Sequence, residues 1–455
     1  METIIKNGWI INSDASIRAD LRIVDSTIAE IGINLVPSTN NTTLIDATNQ
    51  YLIPGGIDPH VHLHLPTPAG FSSDNFITGS RAALMGGTTT LIDFVTPKKN
   101  QSLVEALENR IAEARNCVTD YSFHVSPVDW HHGIADELRI CKNTYGITSF
   151  KVYMAYKNVI GIEDNMLLEV MKTVATLGGL VTVHAEMGDD IEILRNQLAD
   201  SGNLSPKYHP QSRPAHLETE AVEKAIKLAT QAQCPLYIVH LSAKSSLEAV
   251  KKARRNGANV LVETCPQYLL LDESKYEGEF KETAKFVISP PLRKPSDLNA
   301  LWQGLADGSI QTIGTDHCPF SLQQKSAGIN DFRLIPNGAG GVEYRLQLLF
   351  SEGVLKNRIT LNQWVQLTST NAAKIFGLFP AKGILAVGSD ADVVIWNPKT
   401  LQTISAANQS QNCDLNIYEG FSVTGSPEIV IKSGQIVMES GSLVPNLKNG
   451  TYRRR

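Results

Sequence analysis

The chain has 455 residues, 42% of them hydrophobic and 19% charged, with a formal net charge of −5. No basic excess points to nucleic acid or an anionic membrane as partner, and no apolar run approaches the length of a bilayer span. Cys117, Cys141, Cys234, Cys265, Cys318 and Cys413 form no C-x-x-C pair, and the opening Met1-Glu2-Thr3-Ile4-Ile5-Lys6 has no signal-peptide pattern, so a cytoplasmic protein with reduced thiols is expected.

The first fifty residues alternate short apolar runs with turns. Thr3-Ile4-Ile5, Lys6-Asn7-Gly8 and Trp9-Ile10-Ile11 spell a hairpin whose Asn-Gly pair supplies the positive-φ turn. Runs at 21–24 and 28–31 continue this texture, which returns only at 391–396 and 428–432. One small β-sandwich built from residues 1–52 and 380–442 is expected, followed by a tail at 443–455.

The intervening 53–379 has another rhythm. β-Branched, apolar runs fall at 52–62, 88–94, 121–125, 147–154, 180–185, 236–241, 260–264 and 312–316. Stretches at 75–85, 102–114, 163–176, 218–232 and 245–255 carry helical spacing between them. Eight buried strands alternating with helices predict an α/β fold, a (β/α)8 TIM-like barrel. A doubly wound open sheet competes, but neither G-x-G-x-x-G nor a P-loop follows the first run.

Catalytic groups of such barrels cluster at the C-terminal strand ends. The first run ends Asp58-Pro59-His60-Val61-His62, and residues two apart on a strand share a face, so two imidazoles aim at one point. The fourth carries Lys151, the fifth ends at His184, the sixth at His240 and the eighth at Asp316. Singly, each histidine has an ordinary reading as a core or surface residue, and Asp316 could start a turn. Lys151 is odder, because a lysine inside an apolar strand is costly unless paired or chemically converted. Together the six read as a metal site, with Asp58, His124 and His317 read as structural neighbours.

These residues carry a family resemblance. The chain resembles the amidohydrolase superfamily and, within it, the cyclic amidases of the D-hydantoinase and dihydropyrimidinase branch. The matching stretches include Gly55-Gly56-Ile57-Asp58-Pro59-His60-Val61-His62, Ser149-Phe150-Lys151-Val152-Tyr153-Met154-Ala155-Tyr156-Lys157-Asn158, Glu263-Thr264-Cys265-Pro266-Gln267-Tyr268-Leu269 and Gly314-Thr315-Asp316-His317-Cys318-Pro319-Phe320. The resemblance implies two divalent metal ions, usually Zn2+. His60, His62 and Asp316 would bind one, His184 and His240 the other, and Lys151 as N6-carboxylysine would bridge both. A bare ammonium could not bridge two cations, whereas burial beside them favours the neutral amine that takes up carbon dioxide.

The implied reaction is hydrolysis of a dihydropyrimidine or 5-substituted hydantoin ring to an N-carbamoyl amino acid. A bridging hydroxide attacks, Asp316 serves as general base and then acid, and Tyr156 donates to the oxyanion. Backbone groups at Ser289 and Asn337 would bind the ureide edge of the small cyclic substrate. A homotetramer is implied too, and the tail resembles an arm used for subunit contact; a solvated tail is the alternative. Position 64, where dihydroorotases and many allantoinases carry Arg or Asn, is His64. The loop after it, Leu65 to Phe71, matches the one covering the exocyclic substituent in hydantoinases. Two other functions stay open: an allantoinase-like ureide hydrolase, and a metal-free scaffold protein of the same family, which would lack several of the six ligand residues.

Overall fold

The computed structural model describes residues 2–157 and 159–455; Met1 and Asn158, quoted in the stretches above, lie outside them. Eight parallel strands form the centre: β1 (Gly56–Val61), β2 (Thr88–Val95), β3 (Asp120–Val125), β4 (Ser149–Tyr153), β5 (Leu180–His184), β6 (Leu236–Ile238), β7 (Val260–Thr264) and β8 (Thr312–Ile313). They pair in chain order. The Asp316 N–H donates to the His60 carbonyl (2.9 Å) and the His62 N–H to the His317 carbonyl (2.8 Å), joining the last strand's end to the first. The expected (β/α)8 barrel is therefore the fold.

The strands are buried along nearly their whole length and rich in apolar and β-branched residues because both faces are covered. Ile57, Ile92, Leu180, Tyr237 and Val239 fill the barrel interior with Phe376, while Leu91, Phe123, Phe150 and Val183 belong to the larger core outside it. β6 and β8 end earlier than the apolar runs suggest. His240 (φ 39°) and Asp316 (φ 54°) sit in the left-handed region, which breaks the ladder where these two side chains are presented.

The second sheet has nine strands and mixes both chain ends. Ile5, Ile10, Leu21 and Leu52 share its core with Val393, Ile395 and Ile431. Two expectations fail here. Glu2–Ile11 is one continuous strand, not a hairpin, and its pairing is irregular between Ile5 and Gly8. Asn7 does take a positive φ (65°), but as a bulge. Its N–H donates to Asp20 Oδ1 (2.9 Å) and its amide to Asp46 Oδ1 (3.0 Å), which holds the chain straight. Leu52, Ile53 and Pro54, read as the start of the first barrel run, instead belong to the strand Tyr51–Pro54, which pairs with Glu2–Ile11 and Val393–Thr403. Gly55 separates it from β1, where a Cβ would lie 2.2 Å from Thr89 Oγ1.

The end of the tail is tied to the barrel, although Pro445, Asn446, Lys448, Asn449, Thr451 and Arg454 stay exposed. Tyr121 N–H donates to the Thr451 carbonyl (3.1 Å), Arg453 N–H to the Tyr121 carbonyl (2.7 Å) and Arg455 N–H to the Gly146 carbonyl (2.9 Å). The Arg453 guanidinium pairs with Asp120 and Asp390, both at 2.6 Å. These contacts lay the tail along the start of β3, at the barrel end opposite the histidines. All six cysteines are free. Among the described residues, no helix is long and apolar enough to cross a membrane.

Candidate metal centre

His60 and His62 leave β1 on the same side, their Nε2 atoms 3.2 Å apart and each 3.1 Å from Asp316 Oδ1. The Phe94 ring stacks on His62 (4.5 Å, 17°) and lies 4.7 Å from His60. His240 is reached across the barrel, its ring 5.3 Å from His60 and 4.6 Å from His184. Ligand atoms of His60, His240 and Asp316 all fall within 4.8 Å of one another. Lys151 completes the group. Its Nζ is buried without a hydrogen-bond partner, 4.8 Å from the Phe94 and Tyr153 ring centres. Its charge bears on all four imidazoles. The fold thus gathers the six sequence-predicted residues from five strand ends into one space.

The electrostatics follow from burial. It pulls the Lys151 amine down to about 8, only partly opposed by Asp316 and Glu263. It lowers His62, His184 and His240 as well, favouring the neutral rings that ligate metals. On His60 burial is outweighed by the Glu263 and Asp316 carboxylates, which raise it to about 9. For Asp316 burial alone would raise the carboxyl, but His60 and His62 hold it well below the usual range.

Three supporting residues have no role in the sequence reading. Glu263 on β7 accepts from His60 Nδ1 (2.6 Å), the His240 N–H (3.1 Å) and the Tyr237 hydroxyl (2.9 Å). Its signal was present, since Val260-Leu261-Val262-Glu263 sets a charge in an apolar strand run as the Lys151 run does. Glu186 bonds His184 Nε2 (2.7 Å) and pairs with Arg213 (2.5 Å), whose guanidinium lies 5.3 Å from the Tyr156 ring centre. No local pattern marks that pair.

Tyr156 (φ 58°) sits with its ring 5.4 Å from His184. Burial raises its phenol against the lowering effects of Arg213 and the Ser289 hydroxyl, so it stays a proton donor. Asn337 belongs to a neighbouring segment, tied in by Gly338 N–H to the Val287 carbonyl (3.1 Å), and its Oδ1 is buried without a partner.

The other candidates are structural. Asp58 accepts from the His60 and Thr315 N–H groups (both 3.1 Å) and the Thr315 hydroxyl (2.6 Å). His124 is engaged by Ser149 (2.6 Å) and the Pro59 carbonyl (3.0 Å), and His317 by Asp74 (3.0 Å) and the Gly341 N–H (3.1 Å). His64 pairs with Glu113 and stacks on Phe71 (3.9 Å, 13°). A surface cleft of about 880 Å³ lies beside Lys207, Tyr276 and Arg293 and contains none of the six residues.

The donor set fits divalent metals. Imidazole and carboxylate suit zinc, and the one group that does not, a buried amine without a partner, becomes a ligand on carboxylation.

A parallel barrel with a candidate metal-binding group of His60, His240 and Asp316 at its strand ends points to a class of hydrolases. The chain belongs to the amidohydrolase family, whose sequence profile matches residues 51–437, and within it to the D-hydantoinase and dihydropyrimidinase branch. It is 44% identical to the D-hydantoinase of Geobacillus stearothermophilus, an alignment covering 100% of this chain and 97% of that one. It is 38% identical to the dihydropyrimidinase of Rattus norvegicus, over 96% of this chain and 86% of the relative. The crystal structure of the dihydropyrimidinase from Brevibacillus agri NCHU1002 superposes with a TM-score of 0.98 at 43% identity, covering 100% of this chain and 99% of that one.

Proposed function

We propose that this chain opens a cyclic amide or imide ring, a dihydropyrimidine or 5-substituted hydantoin, by hydrolysis to the N-carbamoyl amino acid. The observation that carries the reading is Lys151, a buried amine without a partner facing four imidazoles and a carboxylate. Two divalent ions, zinc by donor type, held by His60, His62 and Asp316, by His184 and His240, and by carboxylated Lys151, would polarise the ring carbonyl and acidify the attacking water.

The chain's own groups do the rest. Asp316 takes a proton from the attacking water at its carboxylate and returns it to the leaving ring nitrogen. Tyr156 keeps its phenolic proton and donates to the oxygen that gains charge, worth about 3 kcal/mol for one such donor. Glu186 holds Arg213 against the Tyr156 ring, which orients that donor. Backbone groups at Ser289 and Asn337 bind the ureide edge, so rings that share the edge are all accepted.

The test is a side-by-side assay of dihydrouracil, hydantoin, 5-substituted hydantoins and allantoin with metal analysis of the same preparation. Turnover of the first three at two metals per chain is the expected result. Allantoin as the sole substrate would move the assignment to a ureide hydrolase, and no turnover by the metal-loaded protein would sink it.

A further inference from the structure

We propose that Lys325 and His209 are positioning residues for ring recognition: each grips, from behind, a peptide that presents its polar groups to the ureide edge. This rests on the reading of Ser289 and Asn337 above and adds what orients them.

Lys325 ends the short helix Leu322–Lys325 and is buried. Its Nζ donates to the carbonyls of Val287 (3.0 Å), Pro336 (2.7 Å) and Gly338 (2.8 Å). An ammonium has three donors, and here three carbonyls receive them. Among the described residues no carboxylate pairs with it. Burial pulls this amine down to about 7, and burying such a group on main chain alone is a poor way to gain stability, so its placement calls for another account.

The peptide geometry supplies one. In a trans peptide the carbonyl and the following N–H point in opposite directions. With the Pro336 carbonyl on Lys325, the Asn337 N–H points away from the ammonium. Gly338 N–H donates to the Val287 carbonyl, which Lys325 also holds, so the Asn337 carbonyl points away as well. Asn337 therefore offers a donor and an acceptor side by side on one face, the complement of a ring N–H next to a C=O. The fit is rigid, because Gly338 (φ 146°) has no room for a side chain: a Cβ would lie 2.3 Å from the Cys318 carbonyl.

His209 does the same for the other segment. Buried, and pushed down to about 3 chiefly by that burial, it is a neutral ring whose Nε2–H donates to the Ile288 carbonyl (2.7 Å). The peptide that carries this carbonyl also carries the Ser289 N–H, which points the opposite way. Two separate side chains thus fix the two recognition peptides.

The experiment uses the metal-loaded enzyme with hydantoin and 1-methylhydantoin, in which a methyl caps one N–H of the ureide edge. Wild type should favour hydantoin; if it does not, the reading of Ser289 and Asn337 fails, whatever Lys325 does. Given that preference, Lys325→Met should raise KM for hydantoin about tenfold or more and shrink the hydantoin preference by a similar factor. With kcat changed less than threefold and metal content kept, that result supports the proposal. A folded K325M that keeps the wild-type KM and preference overturns it, as does one whose kcat falls with unchanged KM. Should K325M not fold, His209→Phe carries the test: a lost preference supports the proposal and an unchanged one overturns it.

Discussion

Glu263→Gln separates the charge of a supporting residue from its shape. The carboxylate receives three buried donors, from His60, the His240 backbone and Tyr237. A glutamine keeps an oxygen for the first two. Its NH2 would face the Tyr237 oxygen, whose hydrogen can turn to Thr312 Oγ1, 2.5 Å away. One of its two N–H groups meets that oxygen and the second gains no acceptor there, so stability should fall by about 1–3 kcal/mol. Metal affinity should fall as well. A carboxylate behind a ligating histidine raises its basicity and fixes its ring, and losing one typically costs about 10–100-fold in affinity. The assay is chelator competition on folded protein above pH 9, where the proton that His60 holds up to about 9 no longer competes with metal. Wild-type metal affinity in E263Q under those conditions would refute the reasoning.

The remaining predictions address other parts of the site. Lys151→Ala should abolish binding of two metals per chain, read by elemental analysis, while the fold persists by circular dichroism. Tyr156→Phe should cut kcat by about 100-fold or more with metal content unchanged. Arg345→Met should cost about 3–5 kcal/mol in denaturant unfolding, because it removes the cation beside the buried Asp58 carboxylate, 3.9 Å away, and the donors to the Ile57 and Ile313 carbonyls (2.9 and 2.8 Å). Glu186 is held at about 2 against a reference of 4.5: burial is overcome by Arg213 and His184. A depressed carboxylate stabilises the fold above 4.5 and loses that contribution as pH falls toward 2. Metal-free wild type should therefore lose stability more steeply than E186Q across that window.

The barrel was legible because each of its strands is a short apolar, β-branched run, a pattern set by burial on both faces. The six clustered residues were legible for a related reason: a histidine, lysine or aspartate closing such a run has few structural excuses. Where the reading failed, the deciding partner was distant in sequence. Asn7-Gly8 has the chemistry of a hairpin turn, but Asp20 and Asp46 hold Asn7 in a bulge. Tyr51–Pro54 looks continuous with β1 until Val393–Thr403 claims it. Glu186 and Arg213 lie on different elements, and only the folded chain puts one carboxylate between His184 and the residue that braces Tyr156.

That pairing of Tyr51–Pro54 with Val393–Thr403 has a consequence for synthesis. The ribosome makes the first partner, then roughly 340 residues before the second emerges, which at about 5–20 residues per second takes some 20–70 s. Through that interval the strands near the start present an unpaired, apolar edge to the surrounding solution, a template for joining other chains. The newborn protein is therefore most prone to aggregate before its last tenth is made. Slower translation or a shorter carboxyl end should lower the yield of native protein even when every ligand of the metal centre is intact.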